Sequence, residues 1–79
     1  LWSLLMDYKK LFAMTKNLSL LLVEDYEPLR DDMSEVLEDL FQTVIVASNG
    51  KEALSLYEDF YKKNDKYIDV IISDIQMPI

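Results

Sequence analysis

The sequence of 79 residues contains no cysteine and no histidine. Disulfide bonds, thiolate or imidazole zinc sites and histidine-based catalytic triads are therefore excluded for this chain. A metal ion bound by these residues would have to be a hard cation held by oxygen atoms. The length is enough for one small domain with a modest hydrophobic core.

Basic residues are scarce, since 8 Lys and Arg stand against 15 Asp and Glu, for a net charge of −7. Nucleic-acid binding rests on a basic surface that contacts phosphates, and this composition argues against it. No apolar run reaches the ~18–20 residues that cross a bilayer. Residues 1–14 are apolar but lack the basic leader and cleavage site of a signal peptide. We therefore expect a cytoplasmic chain that binds neither nucleic acid nor a membrane.

Helical and extended patterns alternate along the chain. Residues 1–16 have the i, i+3, i+4, i+7 apolar spacing of an amphipathic helix, and Asn17 is the expected stop because Asn tolerates the left-handed conformation. Pro28 fits the first position of a second helix, and Asn49 with Glu52 resembles a capping box that begins a third. Short apolar or β-branched runs between them predict strands. After residue 17 the predicted elements are a strand at 18–23, a helix at 28–40, a strand at 43–47, a helix at 49–61, a loop at 62–67 and a strand at 69–73.

Acidic residues follow two of these strands. The alternation predicts a parallel sheet, with helices on its faces and ligands bound beyond the carboxyl ends of the strands. Glu24 and Asp25 follow the first strand and Asp74 follows the third. If those strands are neighbours, the three carboxylates meet, and their repulsion of roughly 4 kcal/mol per close pair favours a cation between them. Oxygen ligands beside a phosphate substrate favour Mg²⁺, with one carboxylate left to attack phosphorus. The structural alternative is that such acids cap the next helix, as Asp25 could.

Three segments together carry a resemblance to a known family. In order and spacing they are similar to the CheY-like receiver domain of two-component response regulators, over residues 18–79. The segments are LLLVED at 20–25, ASNGKEAL at 47–54 and YIDVIISDIQMP at 67–78. The resemblance implies an α/β, flavodoxin-like parallel sheet of strand order 2-1-3, here partial and preceded by an extra helix at 1–17.

The resemblance also implies roles for individual residues. Asp74 corresponds to the phosphoacceptor, and Glu24 and Asp25 match the acidic pair that holds Mg²⁺. Gln76 falls where the family supplies a backbone carbonyl to the metal. The phosphoryl donor would be a phosphohistidine on a sensor histidine kinase or a phosphotransfer protein.

The chain departs from the family in extent. Family members have five strands, and the hydroxyl residue after strand four and the lysine after strand five have no counterpart here. The third strand is then an open apolar edge, so we expect the 79-residue chain to form a dimer or a domain-swapped oligomer. The first residue, Leu1, and the last, Ile79 directly after a proline, suggest cuts through a longer protein. The N-terminal helix is expected either to pack on the domain or to link it to an upstream module, such as the kinase part of a hybrid sensor kinase.

Three functions are compatible with these features. The first is a phosphoacceptor receiver domain, and the second is a receiver-like interaction module that is never phosphorylated. The third is another Mg²⁺-dependent phosphotransferase or phosphatase with an aspartyl nucleophile. The intact set of three acids favours the first over the second. The third commonly has a second acid two residues beyond the nucleophile, where this chain has Gln76.

Overall fold

The computed structural model describes residues 8–73, in which helices and strands alternate along the chain. The helices are α1, Tyr8–Thr15; α2, Glu27–Glu38; and α3, Gly50–Asn64. The strands are β1, Ser19–Val23; β2, Thr43–Ala47; and β3, Val70–Ser73. The predicted alternation is confirmed, and the strand at 43–47 has the predicted bounds.

The three strands form one parallel sheet of order β2-β1-β3. The chain moves from β1 to β2 in one direction and from β2 back across β1 to β3 in the other. Because parallel crossovers are right-handed, the helices in these two connections lie on opposite faces of the sheet. This is the predicted order 2-1-3 of a partial flavodoxin-like α/β fold.

The core surrounds β1, the central strand, all of whose five residues are buried. Leu21 and Val23 form a cluster on one face with Ala47, Ala53 and Ile68, and partly buried side chains of α3 pack against it. Leu20 and Leu22 alternate to the other face and are at most 1% exposed. Burial on both faces explains why β1 has the continuous apolar sequence that the strand prediction used.

The ends of α1 and α3 differ from the sequence prediction. α3 continues to Asn64 instead of stopping at Tyr61, with Lys62 and Lys63 in its last turn, where basic side chains favour the helix dipole. Asp65 then ends α3 in the left-handed conformation, with φ 55° and ψ 33°. α1 ends at Thr15, two residues before the predicted stop at Asn17, and Asn17 is not left-handed, because among residues 8–73 Asp65 is the one non-glycine residue with positive φ.

The start of α3 agrees with its predicted cap. The Asn49 side chain accepts a hydrogen bond from the Glu52 N–H at 2.8 Å. The Glu52 carboxylate accepts a hydrogen bond from the Ser48 N–H at 2.6 Å. In the usual capping box the donor is the N–H of the N-cap residue itself, which here is the next residue, Asn49. The two bonds hold the turn between β2 and α3.

α1 is joined to the rest of the domain through Thr15. The Thr15 hydroxyl is buried and lies 2.7 Å from the Leu40 carbonyl oxygen, which follows α2. Phe12 and Met14 on the same helix are 42% and 73% exposed. The described part of the N-terminal helix is therefore anchored at its carboxyl end.

Candidate functional site at the carboxyl ends of the strands

The carboxyl end of β1 lies level with the ends of both neighbouring strands. Val23 pairs with Ala47 on β2 and with Ser73 on β3. Glu24 extends the ladder by one bond, because its N–H donates to the Ala47 carbonyl at 3.0 Å. In the sequence Glu24 follows Val23 and Asp74 follows Ser73, so both acids come directly after strand residues at one level of the sheet.

Glu24 is buried, with only 6% of its surface exposed. One carboxylate oxygen accepts a hydrogen bond from the Tyr26 N–H at 3.1 Å, and this bond orients the side chain. A buried carboxylate is costly in free energy unless donors or a cation compensate for its charge. This position is therefore suited to a cation ligand.

Asp25 is exposed at the same end of β1. The alternative role considered for it, capping of the following helix, is not observed. The N-cap of α2 is Tyr26, whose side chain makes no capping hydrogen bond, and Pro28 is the second residue of the helix, one position later than predicted. Asp25 makes no side-chain hydrogen bond to residues 8–73 and is placed to meet a ligand from solvent.

Arg30, the only arginine of the sequence, lies beside the acidic pair. Its guanidinium donates to the Glu24 carbonyl oxygen at 3.1 Å and lies 3.6 Å from the Glu27 carboxylate. It thus holds the backbone of Glu24 without neutralising its carboxylate. Sequence analysis missed this contact, although a lone arginine in the helix after the acidic pair was the available signal.

The other predicted ligands, Asp74 and Gln76, lie outside the described residues. Within residues 8–73 no group of three or more acidic side chains is placed to hold a metal ion. That range contains only two of the four predicted ligands. The structure thus places Glu24 and Asp25 at the predicted edge of the sheet. The complete set of four metal ligands stays a prediction.

Comparison with known proteins identifies the class to which this fold belongs. The parallel β2-β1-β3 sheet, with an acidic pair after its central strand, is that of a partial flavodoxin-like α/β fold. Over 59 residues the chain is 37% identical to the chemotaxis protein CheY of Halobacterium salinarum. The match covers 75% of this chain and 44% of that protein. No protein-family model matches the sequence, and no solved structure matches it.

This similarity and the parallel sheet of order β2-β1-β3 support a CheY-like receiver domain. It spans less than half the length of the curated relative that it matches. Within residues 8–73, no helix is both long enough and apolar enough to cross a membrane.

Proposed function

We propose that this chain supplies the acceptor and metal-binding part of a phosphoryl-accepting receiver site. The supporting observation is that β1 and β3 end at the same level of the sheet, where Val23 pairs with Ser73. In the sequence these two residues directly precede Glu24 and Asp74. In this proposal Asp74 accepts the phosphoryl group. Glu24, Asp25, Asp74 and the Gln76 backbone carbonyl hold Mg²⁺.

The donor set fits a hard divalent cation. All the proposed ligands are oxygen atoms, and Mg²⁺ typically takes one or two carboxylates together with water and phosphate oxygens. Glu24 contributes a carboxylate that is already buried and oriented, whereas Asp25 is reachable from solvent. When bound, the cation would offset the negative charge of the carboxylates and of the incoming phosphoryl group.

The proposed reaction moves a phosphoryl group from nitrogen to oxygen. A carboxylate oxygen of Asp74 forms a bond to phosphorus as the bond from phosphorus to the donor imidazole nitrogen breaks. The electron pair of the broken bond stays on the imidazole. The donor is a phosphohistidine of a sensor histidine kinase or a phosphotransfer protein, and we place the reaction in the cytoplasm.

The test uses the natural full-length protein with Mg²⁺ and acetyl phosphate, followed by intact-protein mass spectrometry. We expect one phosphoryl adduct on the unchanged protein, and loss of the adduct in Asp74→Ala or when the cation is chelated. Asp59→Ala is the matched control, because Asp59 is exposed on α3 and lies in a groove beside Thr43, at the opposite end of the sheet. Asp69 is unsuitable as a control because it bonds to Ser19.

Two results would overturn the proposal. Absence of any adduct on the unchanged protein would favour a receiver-like interaction module. An adduct that persists in Asp74→Ala would move the acceptor to another residue. Circular dichroism of each variant shows whether a lost adduct reflects chemistry or unfolding.

We further infer that the 79-residue chain self-associates when it is expressed alone. Among the described residues β3 pairs only with β1, and its Ile71 side chain is 55% exposed. An uncovered apolar edge strand is a template for pairing with a second copy of the chain. Light scattering of the isolated chain is expected to give a mass above the 9.3 kDa of a monomer, and a monomeric mass would contradict the inference.

A further inference from the structure

The amino ends of β1 and β3 are joined by polar groups that the proposed site does not use. The Asp69 carboxylate accepts hydrogen bonds from the Ser19 N–H at 2.9 Å and from the Ser19 hydroxyl at 3.1 Å. The Asp69 N–H lies 3.2 Å from the Ser19 hydroxyl oxygen. Ser19 is 2% exposed, and the Lys66 ammonium lies 3.8 Å from the carboxylate. We name the Ser19–Asp69 pair the clasp.

The apolar side chains of the two strands specify their register only weakly. β1 is SLLLV, buried at all five positions, and β3 is VIIS. Register is normally fixed because a one-residue shift exchanges an apolar face for a polar one. Within Val70–Ile72 such a shift places one branched apolar side chain where another was, whereas at the ends it brings Ser73 level with Leu22 or Asp69 level with Leu20. Within these three residues the apolar pattern does little to distinguish the observed pairing from its neighbours, so the polar residues at the ends carry that distinction.

The clasp does distinguish them. In a shifted register the Asp69 carboxylate moves away from Ser19, whose N–H and hydroxyl are buried and would lose their partner. An unpaired buried donor is strongly unfavourable. A single polar pair in an otherwise apolar interface selects a register in the same way in coiled coils.

We propose that the clasp is a positioning device for the phosphoryl-accepting site at the other end of the same strands. It sets the register in which Val23 lies level with Ser73. Glu24 and Asp74 are the next residues in the sequence, so the same register sets the starting points of both acids. A shift by one residue would displace one strand by about 3.3 Å. That displacement exceeds what Mg²⁺ ligands at about 2.0–2.1 Å can tolerate. The inference rests on the proposed function.

The experiment compares clasp variants with a core variant in the natural full-length protein. Ser19→Ala and Asp69→Ala each remove two of the three hydrogen bonds of the clasp, and Asp69→Asn restores an acceptor for Ser19. Leu56→Ala is the matched control, since Leu56 packs on the core cluster from α3 and takes no part in the hydrogen bonds of the clasp. Thermal unfolding establishes a temperature at which all the variants are folded. Mg²⁺ affinity is then measured by calorimetry and the initial rate of phosphorylation by acetyl phosphate.

At that temperature we expect the clasp-removing variants to bind Mg²⁺ about tenfold more weakly, the lower end of what losing a ligand-orienting group costs. Leu56→Ala should bind as the unchanged protein does even where its loss of thermal stability is equal. Asp69→Asn should recover most of the affinity, because an amide oxygen can accept the Ser19 bonds. Equal affinities in Ser19→Ala, Asp69→Ala and Leu56→Ala would overturn the positioning role.

Amide hydrogen exchange of β1 separates this inference from the proposed function. If the unchanged protein binds no Mg²⁺ and accepts no phosphoryl group, the proposed function fails and the positioning role fails with it. If it does both, but the clasp variants exchange their residue 20–23 amides no faster than Leu56→Ala, the clasp does not set the register. Faster exchange in the clasp variants, together with weaker Mg²⁺ binding, is the result that we expect.

Discussion

Replacement of Thr15 by valine tests how α1 is attached to the domain. Valine has nearly the same shape as threonine but cannot donate a hydrogen bond. The Thr15 hydroxyl lies 2.7 Å from the Leu40 carbonyl oxygen and 3.0 Å from that of Leu11. It has one proton, and the shorter distance assigns that proton to Leu40. Thr15→Val therefore removes a tertiary hydrogen bond between α1 and the segment after α2 while the local helix stays intact.

The expected cost follows from the burial of both partners. Thr15 is 8% exposed and Leu40 is 9% exposed, so water does not readily replace the hydroxyl. Leaving a buried acceptor without its donor costs about 1–3 kcal/mol. For a domain with a total stability of about 5–15 kcal/mol, such a loss is readily measured.

The assay is urea-induced unfolding of the natural full-length protein, followed by far-ultraviolet circular dichroism. Thr43→Val is the matched control, because Thr43 is exposed at the start of β2 and the same chemical change there should stay within about 0.5 kcal/mol. Thr15→Ser keeps the hydroxyl and should lose only the burial of one methyl group, about 0.8 kcal/mol. If Thr15→Val is no more destabilising than Thr43→Val, the hydrogen bond does not anchor α1.

Three further predictions concern the core, a cap and pH. Leu21→Ala should cost about 2–5 kcal/mol in denaturant unfolding, because Leu21 is 1% exposed, whereas Leu54→Ala at a 61% exposed position should cost far less. Asn49→Ala should lower the free energy of unfolding by about 0.5–2 kcal/mol, because it removes the acceptor for the Glu52 N–H. A loss smaller than that of an alanine substitution at an exposed site with no capping hydrogen bond would contradict that role. The hydrogen bond from the Ser19 N–H lowers the pKa of Asp69 below its ordinary 3.8, with smaller contributions from the Ser19 hydroxyl and Lys66 in the same direction and from desolvation in the opposite one. A carboxylate whose pKa is lower in the folded than in the unfolded protein stabilises the fold fully at pH values above its unfolded pKa. That stabilisation is lost as the pH falls through the folded pKa. Lowering the pH below 3.8 should therefore destabilise the unchanged protein relative to Asp69→Asn.

The positions of the strands could be predicted from local sequence because each strand has an unambiguous local signal. β2 is a β-branched run bounded by a turn, and its predicted and observed bounds agree. Helix ends were less predictable. Lys62 and Lys63 have the composition of a polar loop, yet they complete the last turn of α3, because the left-handed Asp65 ends the helix three residues later than predicted.

The candidate site, too, could be predicted from the sequence only in part. That Glu24 and Asp25 follow a buried strand was evident from the sequence, since a continuous apolar run before two acids has few alternatives. That Glu24 is buried and held by the Tyr26 N–H, while Asp25 faces solvent, required the tertiary structure. Adjacent residues at a strand end differ in environment according to the elements that pack on each face, and sequence alone does not specify that packing.

By itself, the sequence determined the type and order of the elements, the oxygen-only chemistry open to any bound cation, and the resemblance to receiver domains. Hydrophobic periodicity and residue chemistry are local properties, which is why those conclusions needed no coordinates. Only the tertiary structure showed that Arg30 holds the Glu24 backbone and that Asp69 pairs with Ser19, 50 residues away in the chain. Long-range polar pairs depend on how strands are brought together, and no local pattern encodes them. In the register that contains this pairing, Val23 lies level with Ser73.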